Sequence, residues 1–162
     1  MTLQDPGNTF FPYNALEIIQ NLLTDIDGDM TFVQRRILNG DPDQTIGVAP
    51  VDWSPLGSEI GRTGPTLQRY TIYVQSLIVD PDSERGLRMH SYLAKRVREM
   101  LARLTTLQVG LRQLNVVDEY GVGEKTVDVH MGNQVFHTQE FDGNWNWLST
   151  AELLLDTQIY RQ

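Results

Sequence analysis

From Thr66 to Val79 the chain alternates with a period of two. Tyr70, Ile72, Val74 and Ile78 fall on one side with Thr66, Gln68 and Ser76; Leu67, Thr71, Tyr73, Leu77 and Val79 fall on the other with Arg69 and Gln75. Such a run of β-branched and aromatic residues predicts a strand. Neither side is wholly polar, so cover is expected on both. After Asp80-Pro81-Asp82-Ser83-Glu84 the period changes to that of a helix: Leu87, His90, Leu93 with Ala94, Val97, Met100 with Leu101, and Leu104. Asp80 is the expected N-cap and Pro81 the first helical residue. A strand of this length spans roughly 46 Å, whereas a compact domain of this size is about 40 Å across. The strand must bulge, bend or project, and a projecting strand leaves pairing groups bare, a hint of assembly.

The remaining pattern is built around this unit. Residues 1–13 lack periodicity and read as an extended arm. A first helix follows, capped by Asn14 with Glu17 completing a capping box, carrying Ala15, Ile18 with Ile19, Leu22 with Leu23, and Ile26, and ended by Gly28. Met30–Leu38 reads as a strand before the Asn39-Gly40 turn, and Thr45–Trp53 as an edge or bulged strand, since it holds Gly47 and Pro50. Residues 54–65, rich in Gly and Pro, read as a flexible loop. Leu111–Glu119 and a segment from Lys125 to Phe136 or beyond are expected strands about a Tyr120–Gly123 turn. Asp142-Gly143-Asn144 turns into Trp145–Tyr160. Within that last segment Ser149–Thr157 fits a helix as well, and the run of hairpins decides for strand. The expectation is one α+β domain, 1–162: a mostly antiparallel sheet with two α-helices packed on it.

Charge changes the picture more than composition does. The chain has no cysteine, hence no disulfide framework and no thiolate metal site. Its first residues lack the basic and apolar regions of a signal peptide, and no apolar run approaches the roughly 20 residues that span a bilayer. A soluble chain made in the cytoplasm, with no membrane partner, is expected. The net charge of −8 argues against a basic nucleic-acid surface. Residues 85–104 nevertheless carry six basic groups against Glu99 alone, +5, which leaves −13 for the rest. That helix face is either simply solvated or a basic patch that meets an acidic neighbour through Arg88, Lys95, Arg96 and Arg103.

The chemical motifs fail on spacing. Asp25–Asp29 begins like a calcium loop, but its sixth and twelfth positions are Met30 and Arg36 where Gly and Glu are required. Gly121–Thr126 has Glu124 before Lys125 where a phosphate loop needs Gly, so a hairpin turn is expected. His130 and His137 lie seven apart on one strand and, without a bulge, face opposite sides; His90 sits on an apolar helical stripe as a hydrogen-bonded core histidine. No nucleophile has a legible base and orienting partner. No catalytic, cofactor-binding or metal-ligating residues are assigned, and no enzyme activity is expected. Trp145 and Trp147 share a strand face beside Phe141, either as core or as an aromatic interface anchor.

Three stretches together resemble the tail terminator proteins of long-tailed phages of actinobacteria: Thr45–Pro55 (TIGVAPVDWSP), Thr66–Ile78 with Gly86–Leu101 (TLQRYTIYVQSLI, GLRMHSYLAKRVREML), and Asn146–Thr157 (NWLSTAELLLDT). The likeness runs from about Asn14 onward and departs in the loop 54–65. It implies a tube-protein-like fold and a hexameric ring in the virion that caps the tail tube, ends its polymerisation and joins it to the head-side connector or stopper protein. Genomic DNA would pass through without specific binding. Six chains would carry −48, and an acidic lumen would repel phosphates. Asp41, Asp43, Asp118, Glu119 and Glu124 are the lumen candidates, with solvated loops as the plainer reading. The alternatives are another head–tail joining protein and a small-molecule-binding α+β module.

Overall fold

The computed structural model describes residues 2–26, 28–56, 66–103, 109–112, 116–118 and 120–161, without the side chains of Thr66 and Val116. The elements are α1 (Tyr13–Leu23), β1 (Thr31–Val33), β2 (Thr45–Pro55), β3 (Thr66–Asp80), α2 (Ser83–Leu101), β4 (Val116–Val117), β5 (Val122–Phe141) and β6 (Asn144–Arg161). The strands form one sheet in the order β1-β2-β3-β6-β5-β4. Every pairing is antiparallel except β1 with β2. The fold is α+β, as its pattern predicts. No helix among the described residues is long and apolar enough to cross a membrane.

The long central strand keeps perfect register, and its neighbours bend around it. β3 pairs with β6 without a break from Thr66↔Ile159 to Asp80↔Trp145. Bulges fall instead in β2, between Pro50 and Asp52, and twice in β5, between Thr126 and Asp128 and between Met131 and Gln134. Each bulge lets a strand add a residue and twist while its ladder continues.

Both helices lie on one face of this sheet. Tyr70, Ile72, Val74 and Ile78 of β3 meet Ala151, Leu153, Leu155 and Trp147 of β6 beneath Leu93, Val97, Met100 and Leu101 of α2 and Leu16, Ile19 and Leu23 of α1. Gly86 is where α2 comes closest. A Cβ there would stand 2.5 Å from Trp147 Nε1 and 3.2 Å from Asp80 Cβ. The opposite face has no helix among the described residues. It is crossed at one end by residues 34–41, where Ile37 N–H donates to Gln75 Oε1 (2.8 Å) and Arg35 O would lie 2.6 Å from a Cβ on Gly47. The cover expected on both faces is thus complete on one and partial on the other.

Several local expectations are corrected. α1 starts at Tyr13 with Pro12 at its cap, because a turn closed by Asn14 N–H to Phe10 O (3.0 Å) begins the helix early. Asn14 is therefore inside the first turn, its buried amide atoms without hydrogen bonds, and is not the cap. The helix ends at Leu23, before Gly28, whose φ of +116° belongs to the following turn. α2 is capped by Asp82, which accepts from Glu84 and Arg85 N–H (2.9 and 3.1 Å). Asp80 is still in β3 and holds the Arg85 guanidinium and the Asp82 N–H. The run Met30–Leu38 is strand only over Thr31–Val33, since residues 35–37 leave to cross Gly47. The expected strand Leu111–Glu119 begins inside a helical turn at 109–112 that drives Leu111 into the core, and among the described residues only Val116–Val117 are strand. The second helix's expected last residue Leu104, most of the loop 54–65 and Asp27 of the calcium-like run lie outside the described residues; Ser54 and Pro55 end β2.

Candidate functional site

β5 has a long bare edge. Its other side pairs with β6 from end to end, but β4 pairs only with Gly123 and Glu124. From Lys125 to Phe141 no strand covers the outer edge among the described residues. Val135 is 61% exposed and Phe136 57% exposed on this stretch. An edge of this length is a template for another strand, and monomeric proteins shorten, charge or cover such edges. The opposite edge of the sheet is handled that way: β1 is three residues long.

The face without helices carries the polar chemistry. Arg69 and Asp156, cross-strand neighbours on β3 and β6, form a two-point ion pair, Nε to Oδ1 at 2.7 Å and a terminal nitrogen to Oδ2 at 3.0 Å. The Arg69 hydrogen bonds hold the Asp156 carboxyl below its usual range against the opposing effect of burial. Beside them His130 and Asp128 come from β5. Asp128, His130 and Asp156 are the residues whose ligand atoms are spaced to hold a metal ion, among those described. Arg36 lies over the Tyr73 ring at 5.5 Å on the same face.

Both β5 bulges matter here. His130 faces Leu154 and His137 faces Leu148, so the two histidines lie on the same face, contrary to the unbulged reading; the residue added between Met131 and Gln134 restores the parity. Six β6 residues, roughly 20 Å, still separate them, too far for a shared ligand. His90 is buried as expected, against the rings of Phe136 (5.1 Å) and Trp147 (5.9 Å). Its ring nitrogens, however, make no hydrogen bond. Burial pushes His90 below the usual histidine value.

The basic helix face is partly neutralised within the chain. Lys95 and Arg96 both reach Glu99 (3.1 and 2.7 Å), Arg103 reaches Asp25 (3.5 Å), and Arg98 donates to Gln134 (3.0 Å). Arg88 is exposed. Trp147 packs against the core, its indole nitrogen buried without a partner. Trp145 lies on the same face, but its cross-strand neighbour is Glu140; Phe141 pairs with Asn144 and so points to the other side.

The acidic candidates are not gathered in one place. Asp41 takes two bonds from Arg35 (2.9 Å each), which hold its carboxyl below the usual range. Asp43 accepts from Val79 N–H (2.8 Å), and Asp118 closes its turn by accepting from Tyr120 and Val122 N–H (2.9 Å each). Glu124 belongs to strand β5, not to a loop, and accepts from Gln68 Nε2 and Thr157 Oγ1 on the helix side. Glu119 lies outside the described residues. The bare β5 edge and the Asp128–His130–Asp156 group both escape sequence reading; the one local signal is the Asp-x-His spacing of 128 and 130. No protein-family model matches this chain, and no curated protein does.

Proposed function

We propose that this chain is a ring-forming structural protein of a phage tail, a tail terminator that caps the tail tube at its head-proximal end and joins it to the connector. The observation that carries the assembly part of this reading is the outer edge of β5 from Lys125 to Phe141, along which no strand pairs among the described residues, with Val135 and Phe136 exposed on it. A neighbouring copy adding a strand there would satisfy the main-chain groups and cover the apolar side chains in one step. Repeated around an axis, one heterologous contact of this kind closes a ring. The resemblance of Thr45–Pro55, Thr66–Ile78 with Gly86–Leu101, and Asn146–Thr157 to tail terminators supplies the place of that ring. No enzymatic role is part of the proposal.

The test has two parts. Light scattering on the purified chain is expected to find an oligomer that falls to monomer in V135K/F136K with the circular dichroism unchanged. Reconstruction of the intact particle is expected to find one ring per tail, next to the head. A chain repeated along the tube, or absent from the virion, refutes the placement, and an oligomer indifferent to the β5 changes refutes the edge.

A further inference from the structure

On the open face of the sheet, three ligand atoms converge. Nε2 of His130 stands 3.0 Å from Asp128 Oδ2 and 3.1 Å from Asp156 Oδ2. All three lie within 4.8 Å of one another. A ring nitrogen carries at most one hydrogen, so Nε2 cannot donate in line to both carboxylates. The spacing suits a cation instead. Nitrogen and oxygen ligands bound at about 2.1 Å in adjacent octahedral positions are about 3.0 Å apart.

The carboxylates are already aimed. Asp128 Oδ1 accepts the Val129 N–H at 2.8 Å, which leaves Oδ2 toward the imidazole. Asp156 Oδ1 accepts Arg69 Nε at 2.7 Å, and its Oδ2, which also takes an Arg69 terminal N–H at 3.0 Å, faces Nε2. Ligands whose second atoms are held by fixed partners are the usual surroundings of a metal site. Charge permits it as well: two carboxylates and one guanidinium sum to −1, which a divalent ion turns to +1. Asp156 is only 11% exposed, whereas His130 and Asp128 are 43% and 48% exposed, so an entering ion has a path and its remaining positions are open to water. The first β5 bulge builds the group, since it sets Asp128 opposite Asp156.

We infer that Asp128, His130 and Asp156 form a binding site for a divalent first-row transition ion, which clamps the bulge of β5 onto β6. The imidazole favours such an ion over Mg²⁺ or Ca²⁺, which take oxygen ligands, and the carboxylates suit Mn²⁺, Co²⁺, Ni²⁺ or Zn²⁺. The inference is independent of the tail reading.

Co²⁺ titrated into the full-length chain at neutral pH, followed by its visible absorption and by calorimetry, tests it. One ion per chain is expected, with affinity about tenfold weaker or worse in H130Q and in D128N and unchanged in H137Q. Both altered side chains are about half-exposed, and circular dichroism checks each fold; if one variant fails to fold, the other decides. Zn²⁺ should raise the melting temperature of the native chain and not that of H130Q. No saturable binding, affinity undiminished in H130Q, or displacement of Co²⁺ by an equal concentration of Mg²⁺ would overturn the assignment.

Discussion

Replacing Gly86 by Ala tests whether Trp147 is a fixed piece of the core or a side chain that yields. In an open helix this change stabilises by roughly 1 kcal/mol, because Gly is the poorer helix former. Here the added carbon meets Trp147 Nε1 at 2.5 Å and Cδ1 at 3.0 Å, distances that no relaxed contact tolerates. The indole is rigid, packs near His90 (5.9 Å between ring centres) and cannot swing out without exposing the core. Overpacking of this kind costs about 1–3 kcal/mol. Set against the propensity gain, G86A should be destabilised by up to about 2 kcal/mol. Urea unfolding followed by far-ultraviolet circular dichroism, at matched protein concentration, measures it through a lower midpoint at unchanged slope. The sign should reverse in a W147L background, where the carbon has room and only the propensity gain remains; the cycle then gives a coupling of about 1–3 kcal/mol. G86A more stable than the native chain by about 1 kcal/mol would mean that the indole moves freely, and would return Trp147 to the candidate interface anchors.

Two further outcomes follow from charge. Asp156 is held below its ordinary value by Arg69, so its contribution is present above about pH 4 and is lost as the pH falls through its folded value. With Arg69 about a third exposed, D156N should cost about 1–2 kcal/mol at neutral pH, and the gap from the native chain should close in acid unfolding; a gap that persists at low pH refutes the ion pair as its source. With a net charge of −8 and a basic helix face partly tied to Glu99 and Asp25, the isolated protein should not shift duplex DNA in a gel at physiological salt; micromolar binding that weakens steeply with salt would turn α2 toward nucleic acid.

The long elements were legible because their periods are unmixed. Tyr70, Ile72, Val74 and Ile78 do share a face, and Leu93, Val97, Met100 and Leu101 do cover it. The helix caps were less legible. Asp80 and Asp82 flank Pro81 and both suit an N-cap; what decides is that Asp80 is still paired with Trp145. The bulge of β2 was legible, since it falls directly after Pro50, although β2 is not an edge. Those of β5 escape the pattern, as Val127 is an ordinary strand residue and Gly132 sits inside an otherwise continuous strand run. Missing them misassigns the side of His137 relative to His130 and hides the meeting of Asp128 with Asp156. The bare edge was invisible for another reason: which strand lies outermost is set by pairing order, and residues 122–141 read the same whether or not a neighbour lies beside them.

The three bulges also uncouple length from sidedness. In an unbulged strand, losing one residue turns every later side chain to the wrong face. In β5 the unpaired residue near Val127, and the one between Met131 and Gln134, can be lost while every cross-strand partner and every facing stays as it is; Val51 gives β2 the same slack. A deletion near these positions can be absorbed by straightening the strand. β3, paired without interruption over its whole length, holds no such spare residue. Related chains should therefore vary in length along β5 and β2 and remain constant along β3.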